Sequence, residues 1–241
     1  MTNAADTPSA TWKPVRTARA SEDVVAQIKR AFFNGMKPGD WVGTEADLAQ
    51  RFGVSRITIR DAVRTLEVQG VVDVKVGAGG GLRVSEGDLD KFADGLSIQL
   101  HLLGITWREL TEAMLTIEPL TAKLAAQRAT AEDIDRMRAV LADAETHLTE
   151  PATFTDTSLD FHLLVAAASG NRALQTSIRA LRSLQSEKFQ PNTSTMIAKQ
   201  VSAAHQAIVD AIAAGDAEGA HKAMREHLES VAQHEHDALL I

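Results

Sequence analysis

Gly53-Val54-Ser55-Arg56-Ile57-Thr58-Ile59-Arg60 is the stretch from which this chain is read. A short helical pattern over 44–52 ends at Gly53, a residue suited to the left-handed turn that closes a helix. Ser55 offers a hydroxyl to start the next helix, which the spacing carries to about residue 69. Ile59, Val63 and Leu66 form its apolar stripe at the three-and-four spacing of a core-facing helix. Arg56, Arg60 and Arg64 stand four apart and so share a side away from that stripe. Two helices joined by a tight turn, the second carrying arginines from its first turn, describe a helix-turn-helix that enters the major groove. Just beyond, the β-prone runs 71–76 and 81–84 flank Gly77-Ala78-Gly79-Gly80, which predicts a hairpin, the wing of a winged helix. The partner implied is double-stranded DNA.

Upstream, a first helix is expected over 21–33, with Val24, Val25, Ile28 and Phe32 turned inward and Ser21 as its cap. Residues 1–20 read as a disordered tail, from which Arg16 and Arg19 could reach the DNA backbone. The run 34–40 is rich in turn residues, and Trp41 with Val42 forms a short strand at the edge of the wing sheet. Downstream of Val84 every pattern is helical, with helices expected near 88–103, 106–129, 131–149, 152–169, 171–189, 194–214 and 216–238. Thr106 with Glu109, and Thr130 with Asp133, carry the capping-box spacing. The fold class is mainly α: a winged helix-turn-helix over 21–85, a linker helix over 86–104, and an all-α bundle of six or seven helices over 105–241.

Composition agrees. The chain has 241 residues, 44% apolar and 24% charged, and no cysteine. Disulfides and thiolate metal sites are thereby excluded, and a reducing cytoplasm is expected. No apolar run reaches the ~18 residues of a membrane span, and the N-terminus lacks a signal-peptide pattern. The net charge of −7 is uneven. Residues 1–85 hold 12 Lys+Arg against 9 Asp+Glu, whereas 86–241 hold 13 against 23. A basic end on an acidic protein is the electrostatic footprint of a nucleic-acid binder with one DNA-facing domain.

Arg56 and Arg60 are candidates for base edges, because a planar guanidinium matches the paired acceptors of guanine. Ser55 and Thr58, with the free amides of the helix start, suit phosphate oxygens, and Thr44 begins the preceding helix. Arg64, two turns in, reaches backbone or Asp61. Lys75 and Arg83 flank a wing tip, from Gly77 to Gly81, whose bare backbone can approach the duplex. In the helical half, His205 interrupts the stripe Val201, Ile208, Ile212. His227 sits within Ala220, Met224, Val231, and His162 lies one turn after Leu159. Each alone reads as a hydrogen-bonded core histidine. Three on the inward faces of three helices could also converge on a divalent ion. Such a centre with an open position could activate water for hydrolysis, with Glu118 as the base, but the DNA reader on the same chain argues for a regulator.

These residues resemble the GntR family of bacterial transcription regulators. The resemblance runs through Thr44-Glu45-Ala46-Asp47-Leu48-Ala49, then Gly53 to Val63, Leu66, Gly70-Val71-Val72 and the glycine-rich wing. The helical half resembles the effector domain of the FadR subfamily, through Ile117-Glu118-Pro119, Leu124-Ala125-Ala126, Asp160-Phe161-His162, Ala168-Ser169-Gly170-Asn171, Ala204-His205, Gly215-Asp216-Ala217 and His227. Members of the family often carry Arg where this chain has Ala46 and Met114, and some carry His at Val76. The resemblance implies a homodimer on a palindromic operator, acting as a repressor, with a small-molecule effector in the helical domain. It also implies a metal, zinc first, held by an Asp and three His, with Ser158 standing where the Asp would be. Either His162, His205 and His227 hold the metal with water or a carboxylate-bearing effector completing the shell, or a metal-free site of Glu118, Ser158 and the histidines binds by hydrogen bonds. An acyl-CoA or lipid sensor is the rival within regulators.

Overall fold

The computed structural model describes residues 18–77, 79–189 and 194–238. The tail up to residue 17 with Arg16, the side chain of Arg19, Ala78 of the wing and the break at Pro191 lie outside the described residues. The chain divides into two units between Asp88 and Leu89.

In the first unit the expected turn geometry is present. Helix α2 (Glu45–Phe52) closes on Gly53 at φ 65°, ψ 31°, with its amide bonded to the carbonyls of Ala49 and Gln50. Helix α3 (Arg56–Val68) starts on Ser55, whose hydroxyl accepts from the Thr58 amide. Helix α1 (Ala18–Phe33) begins three residues before the expected Ser21 and packs on α3. Its Val24 and Ile28 join Leu48 of α2 and Ile59, Val63 and Leu66 of α3 in one core. Strands β1 (Trp41–Gly43), β2 (Val72–Lys75) and β3 (Gly81–Val84) form an antiparallel sheet with β3 in the middle. Val42, Val72, Leu82 and Val84 turn inward onto the same core.

The elements of the second unit are all helices among its described residues. It comprises α4 (Leu89–Leu102), α5 (Trp107–Arg128), α6 (Ala131–Thr146), α7 (Pro151–Ala168), α8 (Arg172–Phe189), α9 (Thr195–Ala213) and α10 (Ala217–Ala238). Both expected capping boxes are formed, at Thr106–Glu109 and Thr130–Asp133. Helix α4, expected as a linker, packs along α8 within this unit. Helix α5 is central, touching α7, α8, α9 and α10. It therefore carries one inward face, Leu110, Met114, Glu118, Ala122 and Ala125, through the middle of the bundle.

Candidate functional site

The outward face of α3 follows from which of its residues are buried. With Ile59, Ala62, Val63 and Leu66 in the core, Arg56, Ile57, Arg60 and Arg64 are left exposed. No ion pair joins Arg64 to Asp61 among the described residues. Arg60 is held: its Nε lies 3.3 Å from both carboxylate oxygens of Glu45, and one terminal nitrogen lies 3.0 Å from Oε2. The hydrogen bonds and charge of Glu45 raise the pKa of Arg60 above the ordinary arginine value. The pair ties the first turn of α2 to α3 and sets the direction of one guanidinium on the reading face. Nothing in local sequence spacing signals Glu45, because the contact spans fifteen residues.

The hydroxyls in this region serve as caps. Thr44 forms a capping box with Asp47, a Thr-x-x-Asp spacing legible in the sequence, and its bonds lower the Asp47 pKa. Ser55 and Thr58 hydroxyls lie 2.9 Å apart at the exposed start of α3. In the wing, Lys75 and Gly77 are exposed, and Gly77 has φ 111°. A Cβ on Gly80 would sit 2.4 Å from the Lys75 carbonyl, so only glycine fits that position. Arg83 is turned back, one of its terminal nitrogens donating to the Gly39 carbonyl at 3.0 Å.

In the helical unit the three histidines come together. His162 of α7, His205 of α9 and His227 of α10 each place a ring nitrogen within 4.8 Å of the other two. All three are buried, at 8%, 1% and 5% exposure. The Nε2 atoms of His205 and His227 are 3.1 Å apart. Burial first, then the neighbouring His227 and His162, push the His205 pKa well below its ordinary value. Burial, then His162, push His227 down to about 3. Both rings are therefore neutral and keep a lone pair. Glu118 of α5 is 2% exposed and its carboxylate bonds His162 Nδ1. A carboxylate only accepts, so Nδ1 is the donor in this bond and Nε2 is the ring nitrogen left for the cluster. Phe161 stacks on the His205 ring, with centroids 4.3 Å apart, and fixes its plane.

The other expected residues take different places. Ser158 is half-buried on α7, one turn before His162. Asp160 is exposed and pairs with Arg182 at 2.7 Å, away from His162 as its position on the helix requires. Met114 is buried in the core, one turn before Glu118.

An N-terminal winged helix followed by a helical unit with a polar, histidine-lined centre defines a DNA-binding regulator with a ligand domain. Residues 20–81 match the family described as bacterial regulatory proteins, gntR family, and residues 109–230 match the FCD domain. The chain is 31% identical over 207 residues to the HTH-type transcriptional regulator LutR of Bacillus subtilis, covering 81% of this chain and 91% of that protein. It is also 31% identical over 230 residues to the putative L-lactate dehydrogenase operon regulatory protein of Escherichia coli, covering 88% and 85%. Among solved structures, Streptococcus agalactiae GntR matches with a TM-score of 0.56 at 25% identity, covering 90% of this chain and 99% of that one. The chain belongs to the GntR family of transcription regulators, with the FCD architecture that fits the FadR subfamily. It is a DNA-binding regulator with an effector domain, and its relatives here are regulators rather than enzymes.

Proposed function

We propose that the protein is a homodimeric repressor, acting in the cytoplasm on a palindromic operator and released by a small carboxylate-bearing metabolite bound at a zinc ion. Arg56 and Arg60 read base edges, with Glu45 orienting Arg60. Ser55, Thr58, Thr44, Arg64, Lys75 and Gly77 take the backbone, and Arg83 braces the wing while approaching the same strand. The paired winged helices make the operator symmetric.

The observation that carries the metal reading is the His205–His227 spacing. Two nitrogens on one tetrahedral ion at ~2.05 Å stand roughly 3.3 Å apart, and 3.1 Å is close to that. Buried neutral imidazoles with a third ring beside them form a donor set of the right kind, and Glu118 bonded to His162 is the outer carboxylate that such ligands use. His162, His205 and His227 would hold the ion, which when bound supplies a positive anchor for a carboxylate. Ser158 borders this anchor as a hydrogen-bond donor. The lactate dehydrogenase operon in the name of one relative supports a small hydroxy acid as the ligand class. To change DNA affinity the effector must favour one arrangement of the two winged helices, and α4, first in the helical unit, is the proposed relay.

Elemental analysis of the purified protein, then thermal-shift measurements with L-lactate and other organic acids with and without chelator, test this reading. We expect one zinc per chain and a stabilisation by acids that chelation removes. Metal-free protein stabilised only by acyl-CoA would overturn it in favour of a lipid sensor.

A further inference from the structure

Ile57 is an isoleucine left bare at the start of a helix whose other apolar residues, Val68 at its far end excepted, are inside. It is 72% exposed, between Arg56 and Thr58 in the first turn of α3. At ~100° per residue, Ile57 points roughly 170° away from the mean direction of Ile59, Ala62, Val63 and Leu66. By the same count Arg56 and Arg60 lie nearer the flank, at roughly 70° and 110° from that direction. The centre of the outward face in the first turn is thus an aliphatic side chain, with guanidinium groups to one side. A recognition helix contacts bases through its N-terminal residues. On the major-groove edge the aliphatic feature is the thymine C5 methyl group. A β-branched side chain suits this contact, since its restricted χ1 holds the methyl groups at a fixed place on the helix.

The geometry points to Ile57 as a specificity-determining residue that reads a thymine methyl group in each operator half-site, beside the bases read by the arginines. The inference rests on α3 lying in the major groove. The guanidiniums select acceptor-bearing purines, while Ile57 selects thymine over cytosine at a neighbouring position by apolar contact. A polar base edge there would be desolvated against the isoleucine without a hydrogen bond, which disfavours it.

The test begins with a randomised duplex library selected on the full-length wild-type protein. The selected duplex is then made with each thymine replaced in turn by deoxyuridine, which removes only the methyl group. Binding of wild type, Ile57→Ala and Arg56→Ala is measured by fluorescence anisotropy. One thymine per half-site should lose roughly fourfold on replacement, the value of one buried methyl group. Ile57→Ala should bind the thymine duplex more weakly and show no loss at that position. Because the side chain is exposed, its thermal unfolding should match wild type. Loss at no thymine, or the same loss in Ile57→Ala, would overturn the inference. If Arg56→Ala also bound as wild type, the placement of α3 in the groove would fail with it. Weakened Arg56→Ala with no methyl dependence would remove Ile57 alone.

Discussion

The Nε2 atoms of His205 on α9 and His227 on α10 stand 3.1 Å apart in the interior of the helical unit. Both rings are buried, so protonation of either is opposed by desolvation first and then by the neighbouring rings. Two consequences can be measured, one with protons and one with metal.

A histidine whose folded pKa lies below its unfolded value contributes stability above the unfolded pKa and loses it as pH falls. His227, pushed down to about 3, therefore leaves stability level above about pH 6.5 and lowers it from there toward pH 3. At pH 5 the loss is about 2 kcal/mol for this one residue. Urea unfolding of chelated protein between pH 8 and pH 5 should show that fall, reduced in His227→Asn. A midpoint that is level across the range would contradict the burial argument.

Metal binding should be lost without loss of DNA binding. His205→Asn keeps most of the ring's volume but removes one nitrogen from the cluster. We expect zinc content to fall from one per chain to well below that, with metabolite stabilisation abolished. Affinity for a selected duplex should be unchanged. Retained zinc in His205→Asn would place the ion elsewhere.

Glu45 should act on specificity rather than on stability. It is a half-buried partner of the exposed Arg60, and pairs open to solvent on one side add little to folding, so Glu45→Gln should melt as wild type does. Freed from its carboxylate, Arg60 would pair with phosphates on any sequence. Competition binding should show tighter non-specific binding and a lower ratio of specific to non-specific affinity. An unchanged ratio would mean that Glu45 does not orient Arg60.

The exposed apolar face of α4 should carry the proposed dimer. Phe92 on that helix is 60% exposed and Leu103, just past its end, is 74% exposed, an unusual cost unless a second copy covers them. Sedimentation equilibrium of Phe92→Glu with Leu103→Glu should show monomers, and the double variant should bind a symmetric duplex poorly. A dimer of wild-type strength would move the interface to another face.

What could be read in the sequence was what local geometry determines. Gly53 in its left-handed turn, Ser55 as a cap and the Thr106–Glu109 and Thr130–Asp133 boxes each depend on a few neighbouring residues, and all are present. The histidines were legible as inward-facing because helical spacing gives the face. Helix α6 stops at Thr146 rather than 149, since His147 leaves helical backbone at φ −111°, ψ 17°. The contacts that sharpen the sites were not legible. Glu45 meets Arg60 across fifteen residues and Glu118 meets His162 across forty-four, and both depend on how helices pack rather than on spacing within one. The outward place of Ile57 follows from the same helical spacing, opposite Ile59, Val63 and Leu66, and the structure adds that it is 72% exposed.

Exposed side chains of α3 are proposed to read DNA, and Arg56 is the guanidinium of its first turn that no carboxylate among the described residues holds. The most direct measurement is the affinity of wild type and Arg56→Ala for the selected duplex and for a scrambled one, across a range of salt. Wild type should lose affinity steeply with salt. Arg56→Ala should bind the selected duplex roughly 5- to 150-fold more weakly, the range of a lost bidentate base contact, while binding the scrambled duplex nearly as well as before. Equal affinity of the two proteins for the selected duplex at every salt concentration would contradict the account.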